Sequence, residues 1–391
     1  MLSSKFINFM KALNSGKVEN LNCVLNLGRV GLRMAEEYST RFDLLSIEQC
    51  LFLSEFQTPK LEKAEKHLLN LIEKNAPLFS LMEYYDNYPY AYSDINYFFK
   101  GCLKSGVEIS IKAVNPVAKN NYLKKIHKLD KSLKFHCFFK PWLEKKYQVK
   151  EVLDKLEKHS HIKFDLANEI RATKSLEDYL KAYKDIDFLK RVRFPKIYSY
   201  LSSNNVIVSE FIYGSYFYEL LNYKKLTYSD VLDLIRAHLF FMLKVGTFHN
   251  NLHSGNLILG DDSNIYFLDC NNVYTLKSQV KESVFNIFKA IPKENFGEIA
   301  YQISRISTNN LSEEFLEKLI LDMKTVFSSD RCSLIKKIMR VFKVASDNGV
   351  IFDEDIFSIF KSLIYLDKLV SKTKTKESNF FRDFEKILDN L

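Results

Sequence analysis

The sequence predicts an α+β fold of two lobes, in which a helical extension precedes a small antiparallel sheet and a large helical lobe ends the chain. Apolar residues recur at three- and four-residue spacing up to about residue 85 and again after about residue 280, as in packed helices. Between them, alternating segments are broken by turn residues in the manner of hairpins. With 47% hydrophobic and 27% charged residues, the 391-residue chain can bury a core. We place the extension at 1–88, the sheet lobe at 89–213 with a helical insertion at about 117–188, and the helical lobe at 214–391.

The first segment, residues 1–18, contains three lysines and no acidic residue. Its apolar residues would share one face of a helix: Phe6, Ile7, Phe9, Met10 and Leu13. Such a face is typical of a helix packed on its own domain and also of a helix that lies on a membrane surface. The amphipathic spacing favours the packed helix. Further helices are predicted within residues 24–42 and 60–85.

The sheet lobe begins where "INYFFKGCLKSGVEISIKAV" alternates around a break at residues 104–106. This break is typical of a hairpin turn, so Lys112 should lie on the second strand. Residues 193–214 predict two more strands that join at a turn over residues 203–205. The helical lobe should open with a buried helix at 226–248 and a hairpin at 257–269.

The helical insertion is basic. Residues 119–158 contain twelve lysines and five acidic residues, which gives this segment a net charge of +7 in a chain of net charge +9. Aromatic residues are interleaved with these lysines: Phe135, Phe138, Phe139, Trp142 and Tyr147. A solvated helical face whose aromatics reach the core explains the pattern, as does a surface for anionic membrane lipids. No specific nucleic-acid signal accompanies it.

The six cysteines are scattered without a CxxC pair, which argues against a zinc site or a disulfide framework. No apolar run approaches the ~20 residues that span a bilayer, and residues 1–18 lack a signal-peptide apolar region. We therefore expect a protein of a reducing compartment, cytoplasmic or peripheral to a membrane. An organellar matrix also fits this expectation, and the oligomeric state is open.

One segment carries residues suited to phosphoryl transfer. It reads "FHNNLHSGN", with His249, Asn251 and Asn256, and Asp269 follows thirteen residues after Asn256. Asn256 and Asp269 flank the predicted hairpin, so their oxygens can converge on Mg²⁺, a cation that prefers oxygen ligands. A turn cap at Asn256, an Asx turn at Asp269 and a buried His249 are the structural alternatives. As an ordered set, these residues favour chemistry over structure.

Two further residues complete this interpretation. Lys112 on its strand can place a positive charge on nucleotide phosphates. Glu169, on a predicted helix, is the acid that would pair with Lys112 and fix its position. Together with Asn256 and Asp269 they predict a site for ATP and Mg²⁺.

The chain resembles the UbiB/AarF atypical kinase-like family, linked to ubiquinone and other isoprenoid lipids, over residues 27–375. Seven segments carry the resemblance: "YSTRFDLLSIEQCLFLSEFQ", "ISIKAVNP", "FDLANEI", "FPKIY", "VSEFIYG", "FHNNLHSGNLIL" and "FLDC". The resemblance implies a bilobal protein-kinase-like fold whose N-terminal extension covers the site where a protein substrate would dock. It also implies a function as an ATPase or small-molecule kinase.

The resemblance assigns roles to individual residues. Lys112 would contact the phosphates, Glu169 would hold Lys112, and Asn256 and Asp269 would hold Mg²⁺. The remaining nucleotide contacts would come from a loop at 91–94, with Ala91 and Ser93, and from an adenine-side hinge formed by Glu210, Phe211 and Ile212. His249 and Asn251 would stand in the catalytic segment.

The departures from the family cluster at this site. Asn251 replaces the catalytic Asp, and Asn271 replaces the Gly of a D-F-G-like motif. Arg33 to Glu36 replace the K-x-G-Q signature, and Lys163 replaces an acid. Either Glu36 and Lys163 form a compensating pair, or the family's residues are no longer required at these two positions. This pattern suits nucleotide binding with weak or lost phosphotransfer.

Two other functions fit the same residues. Leu252 favours a small-molecule kinase similar to the aminoglycoside and choline phosphotransferases, which share H-x-D-L-H-x-G-N. A pseudokinase scaffold that binds a partner or a membrane through the basic segment 119–158 is the second alternative.

Overall fold

The computed structural model of the protein describes residues 2–57, 76–93, 96–114, 116–329, 333–373 and 377–391. Residues 60–75 of the helix predicted over residues 60–85 lie outside the described residues. The N-terminal part contains helices α1 (Leu2–Ser15), α2 (Arg29–Ser39), α3 (Ile47–Ser54) and α4 (Ala76–Leu81), with 3-10 segments at Val18–Leu27 and Glu55–Gln57. Phe6, Phe9 and Met10 of α1 are 0% exposed, and Phe9 meets the ring of Tyr38 on α2 at 5.9 Å. The first helix is therefore packed on the protein, as the spacing predicts.

A tight turn after α2 anchors the N-terminal helices. Arg41 donates from Nε and Nη2 to the carboxylate of Asp43, at 2.9 and 2.7 Å. Between them, the buried Phe42 packs on the ring of Phe360, with centroids 4.5 Å apart. This turn is the "STRFD" part of the sequence, and it ties the N-terminal helices to the C-terminal half of the chain.

The small sheet contains β1 (Met82–Tyr85), β2 (Ala91–Ser93), β3 (Asn96–Leu103), β4 (Glu108–Val114) and β6 (Val206–Glu210). Its strands run antiparallel in the order β1-β3-β4-β6, and β2 also pairs with β3. The predicted hairpin forms, with Gly106 at φ +81° in its turn. The sequence predicts helix up to about residue 85, which is wrong for β1, because its backbone completes the edge of β3 instead. Four residues are too few for spacing to distinguish the two.

The second predicted strand pair forms only in part. The turn is present as a bridge between Ser203 and Val206, followed by β6. The predicted first strand is instead a two-residue strand, β5 (Val192–Arg193), followed by irregular chain and a 3-10 turn at Ser199–Leu201. Pro195 interrupts this stretch, and proline cannot donate a ladder hydrogen bond.

The region predicted to be helical, about 117–188, contains α5 (Pro116–Phe139), α6 (Pro141–Tyr147), α7 (Val149–Lys163) and α8 (Leu166–Ala182). Tyr147 is 1% exposed, whereas Trp142 is 38% exposed. The side chains of Phe135, Phe138 and Phe139 lie outside the described residues. Tyr147 also ties the insertion to α2, because its carbonyl accepts the hydroxyl of Tyr38 at 3.2 Å.

The helical lobe opens with β7 (Gly214–Tyr216), α9 (Phe217–Asn222) and α10 (Tyr228–Leu239), and a π-helical turn at Phe240–Val245 continues α10. The helix predicted over residues 226–248 thus ends at Gly246, whose φ of +88° stops it. Four short strands follow: β8 (Thr247–His249), β9 (Leu257–Gly260), β10 (Ile265–Phe267) and β11 (Val273–Thr275). β9 and β10 form the predicted hairpin, inside a sheet of order β5-β10-β9-β7, and β11 pairs with β8.

The chain ends, as predicted, in helices: α11 (Ser278–Ala290), α12 (Phe296–Ile306), α13 (Glu313–Ser329), α14 (Leu334–Asp347), α15 (Glu354–Lys372) and α16 (Glu377–Asp389). No helix within the described residues combines the length and apolar character needed to cross a membrane. The thiols of Cys23, Cys50, Cys102 and Cys270 are free. The fold is thus α+β, with small antiparallel sheets and a helical C-terminal lobe.

Candidate functional site

A cleft of about 1030 Å³, which we call the interlobe cleft, lies between the small sheet and the helical lobe. Its lining includes eight residues singled out from the sequence: Ala91, Lys112, Glu169, Glu210, Ile212, Asn251, Asn256 and Asp269. The N-terminal helices also contribute, through Arg33 and Glu36. The side chain of Ser93 lies outside the described residues.

Lys112 is the centre of a buried ion triad. It lies in the middle of β4, opposite Phe98 on β3 and Ile207 on β6, and is 5% exposed. Its Nζ is 2.6 Å from Oε2 of Glu169 on α8 and 2.5 Å from Oδ1 of Asp269. Burial alone would lower the pKa of Lys112, but Asp269 and Glu169 raise it above its ordinary value. The lysine therefore stays charged inside the cleft.

Asp269 is held in an unusual backbone conformation. Its φ is +56°, in the left-handed region that residues other than glycine seldom adopt. The Asn271 side chain, which stands where the family has glycine, donates to Asp269 Oδ1 at 3.1 Å. Such conformations persist where the surrounding structure imposes them, often at functional sites. The Asp269 side chain is 15% exposed and lines the interlobe cleft.

Asn256 and Asp269 are the residues that would hold Mg²⁺. Asn256 Nδ2 donates to the Asn251 carbonyl at 2.8 Å, so its Oδ1 is the end of the amide that can bind a cation. Within the described residues, no group of three or more His, Cys, Asp or Glu side chains forms a metal cage. Two protein oxygens fit Mg²⁺, which usually takes its other ligands from phosphates and water.

His249 is buried and hydrogen-bonds to the backbone of two other residues of the site. It is 2% exposed, and its Nε2–H donates to the Leu268 carbonyl at 2.8 Å. Its Nδ1 accepts the backbone N–H of Asn251 at 3.1 Å. Burial lowers its pKa, which keeps the ring neutral. Its two bonds therefore position the backbone at both sides of the site.

The side chain of Asn251 has a partner that the sequence pattern did not indicate. Tyr365 on α15 donates its hydroxyl to Asn251 Oδ1 at 3.1 Å. Burial raises the pKa of Tyr365, so the hydroxyl keeps its proton. Tyr365 lies 114 residues further along the chain, outside any motif, and only the packing of α15 brings it here.

The same network continues into the N-terminal helices. Lys361, one turn before Tyr365, donates to Glu36 Oε1 at 3.0 Å, and Arg33 approaches Glu36 Oε2 at 2.5 Å. Burial would lower the pKa of Lys361, but Tyr365 and the acids of α2 raise it. The proposed partner of Glu36, Lys163, has a side chain outside the described residues. The residues that replace the K-x-G-Q signature thus connect α2 to α15, the helix that contacts Asn251 through Tyr365.

The hinge is the aromatic end of the cleft. Glu210 Oε1 accepts the backbone N–H of Lys196 at 2.9 Å, so this carboxylate already has a hydrogen-bond partner within the protein. Phe211 donates its N–H to the Glu108 carbonyl at 3.3 Å and meets the ring of Tyr90 at 5.4 Å. Glu210 and Ile212 line the cleft beside these rings, where a flat base would stack.

Comparison with known proteins shows which family the sequence resembles. The sequence matches the ABC1 atypical kinase-like domain over residues 56–303. It is 24% identical over 276 residues to Protein ACTIVITY OF BC1 COMPLEX KINASE 7, chloroplastic, of Arabidopsis thaliana, covering 68% of this chain and 38% of that protein. It is also 24% identical over 285 residues to the Probable protein kinase UbiB of Blochmanniella pennsylvanica, covering 68% of this chain and 50% of that protein.

The chain therefore spans half or less of the length of these two relatives. Among solved structures, the Rv3197–erythromycin complex from Mycobacterium tuberculosis matches 85% of this chain and 86% of that chain, with a TM-score of 0.49 and 15% identity.

Proposed function

The chain belongs to the ABC1 atypical kinase-like family, and from this premise we propose that it binds ATP with Mg²⁺ in the interlobe cleft and transfers phosphoryl groups slowly or not at all. Lys112 would contact the phosphates, and Asn256 and Asp269 would hold the cation. The backbone at Glu210 to Ile212 would receive the adenine.

The buried triad of Lys112, Glu169 and Asp269 is the observation that carries this proposal. A buried charge is costly unless it is paired, and breaking such a pair costs ~3 to 5 kcal/mol. A chain that needed only a stable core would be served as well by apolar residues at these positions. Charges held at the wall of a large cleft are instead suited to a phosphate and its cation.

Asn251 is the reason for proposing weak transfer. An amide can hydrogen-bond an acceptor hydroxyl, but it does not titrate near neutrality and cannot take the proton. General-base help is worth ~10²- to 10⁴-fold in rate, while positioning and cation charge remain.

The metabolic setting that we propose is isoprenoid-quinone or lipid metabolism. The resemblance to UbiB/AarF proteins supports it. A contact with an anionic membrane surface would suit this setting. Transfer to a soluble alcohol would favour the small-molecule kinase, and nucleotide binding without any turnover would favour the scaffold.

Thermal unfolding with ATP, with and without Mg²⁺, tests the proposal. A ligand at 100 times its Kd stabilises the folded protein by ~2.7 kcal/mol, so we expect a clear upward shift that requires Mg²⁺. Lys112→Met and Asp269→Asn should reduce the shift, because they delete a phosphate contact and a cation ligand. Both variants also disturb the triad and so change the unfolding midpoint by themselves. The readout is therefore the difference in midpoint between each variant with ligand and the same variant without it.

Lys104→Met is the matched control, since Lys104 is exposed in the turn of the same hairpin. It should keep the full shift. Absence of any shift in the wild type, with Mg²⁺ or Mn²⁺, would show that the cleft is not a nucleotide site.

A further inference from the structure

The hinge end of the interlobe cleft is lined by aromatic rings, and one of them, Tyr90, is partly open to solvent. Tyr90 is 40% exposed and lines the cleft. Its ring neighbours among the described residues, Phe211 and Phe98, lie at interplanar angles of 77° and 50° to it. Neither ring is therefore stacked parallel on Tyr90, and a flat group has room to pack against it.

The two neighbouring rings are each approached by a lysine. Lys100 Nζ lies 4.6 Å from the ring centroid of Phe211, and Lys112 Nζ lies 5.8 Å from that of Phe98. Cations at these distances interact with the face of an aromatic ring. Phe211 and Phe98 are thus less available for stacking than Tyr90 is.

The helical lobe faces Tyr90 across the cleft. Tyr216 of β7 pairs with Ile258 of β9, and both residues line the cleft. Burial raises the pKa of Tyr216, and the nearby hydroxyl of Tyr90 raises it further, which places the two tyrosines close together. Tyr216 is itself stacked on Tyr218, with ring centroids 5.5 Å apart. A flat group on Tyr90 would therefore lie between the small sheet and the helical lobe.

Hydrogen bonds within the small lobe fix the orientation of Tyr90. Its backbone N–H donates to the Phe98 carbonyl at 2.9 Å, and its hydroxyl shares a hydrogen bond of 2.8 Å with the hydroxyl of Ser110. Ser110 and Lys112 both line the cleft from β4. Since they lie two residues apart, their side chains share one face of the strand, separated by roughly 7 Å. A ribose can bridge a base at Tyr90 and phosphates at Lys112.

We propose that Tyr90 is the residue that stacks on the base of the nucleotide and that Ser110 positions its ring. The assignment rests on the function proposed above and adds a base contact outside both the hinge and the loop at 91–94. Stacking covers the flat apolar surface of the base, and it tolerates different bases because each has a π-face. Tyr90 thus contributes to the affinity for the nucleotide rather than to the choice of base.

Two variants at Tyr90 separate the ring from its hydroxyl. Tyr90→Ala removes the ring and should weaken the affinity for ATP with Mg²⁺ ~5- to 150-fold, the usual effect of deleting one stacked aromatic side chain. Tyr90→Phe keeps the ring without the bond to Ser110 and should retain most of the affinity. Calorimetric titration measures both.

Inorganic triphosphate with Mg²⁺ is the probe that isolates the base. It has the three phosphates of ATP without the base and the ribose, so the wild type and Tyr90→Ala should bind it equally. This comparison also shows that the phosphate end of the site is intact in the variant.

Tyr88→Ala is the matched control. Tyr88 lies two residues earlier in the same loop, is 64% exposed and is not among the residues that line the cleft. Its truncation should leave the affinity for ATP unchanged.

Two results would overturn the proposal: wild-type affinity for ATP in Tyr90→Ala, or an equal loss of affinity for ATP and for triphosphate. If triphosphate binds too weakly to measure, equal losses of ATP affinity in Tyr90→Phe and Tyr90→Ala overturn it, because the ring then makes no difference. Binding of neither ligand by the wild type would remove the nucleotide site as well, so the two failures are distinguishable.

Discussion

Asn251 is fixed at both its backbone and its side chain, by His249 and by Tyr365. An aspartate at this position would keep both hydrogen bonds, because a carboxylate accepts the Tyr365 hydroxyl as an amide oxygen does. We therefore expect Asn251→Asp to raise slow or undetectable ATP turnover at least ~10-fold, within the usual range of general-base help. Phosphate release under saturating ATP and Mg²⁺ measures it.

Asn204→Asp, the same change in an exposed turn, is the control and should not alter turnover. Fast turnover by the wild type that Asn251→Asp leaves unchanged or lowers would show that Asn251 is not at the catalytic position. The residues matched to the family would then have to be reassigned.

His238 gives the protein a specific sensitivity to acid. It is 1% exposed, both ring nitrogens lack hydrogen-bond partners among the described residues, and burial lowers its pKa to about 3. Below the unfolded pKa of ~6.5, the unfolded chain takes up a proton that the folded protein does not. The free energy of unfolding therefore falls as pH falls from ~6.5 toward 3. At pH 5, His238 alone lowers it by about 2 kcal/mol.

His238→Leu should remove that part of the acid sensitivity. Between pH 7 and pH 5, the free energy of unfolding of the variant should fall by about 2 kcal/mol less than that of the wild type. Denaturant titrations at the two pH values measure the difference. His249 and His159 titrate in both proteins, so the comparison isolates His238, and equal losses would mean that His238 is protonated in the folded state.

The turn between α2 and α3 is the anchor of the N-terminal helices. Phe42 is 0% exposed and packs on Phe360 and Phe357 of α15, with ring centroids 4.5 and 5.1 Å apart. We expect Phe42→Ala to lower the free energy of unfolding by ~3 to 5 kcal/mol, as buried aromatic truncations do. Phe79→Ala, at a 51% exposed position, should change it by less than ~0.5 kcal/mol. Chemical denaturation compares the two, and similar small losses would show that this contact does not anchor the helices.

At the scale of the whole molecule, charge governs the expected contact with membranes. The net charge of +9 includes the local +7 of segment 119–158. We expect co-sedimentation with anionic but not neutral liposomes, and release by salt, since attraction between exposed charges is screened over ~8 Å at physiological ionic strength. Equal binding to neutral vesicles, or no binding to either kind, would exclude a role for this segment.

The parts of this molecule that the sequence predicts are those set by local rules. Alternation and turn residues located the strands around Lys112 and the hairpin before Asp269, and the motif spacing selected residues that share one cleft. The strand at Met82–Tyr85 was missed because its partner, not its own sequence, makes it a strand. The contacts of Tyr365 and Lys361 are not predicted for a related reason, since they form only where distant helices pack together.

Lys112 holds the carboxylate that would bind the cation, and this has a consequence for the order in which ligands enter. Mg²⁺ alone would have to displace a buried ammonium from Asp269 and leave that charge with Glu169 only. A nucleotide supplies phosphate oxygens to the same lysine and frees the carboxylate in one exchange. Cation and nucleotide are therefore expected to bind cooperatively, each tightening the other by the same factor. Calorimetric titration of Mg²⁺ should give little heat without nucleotide and a saturable signal with it.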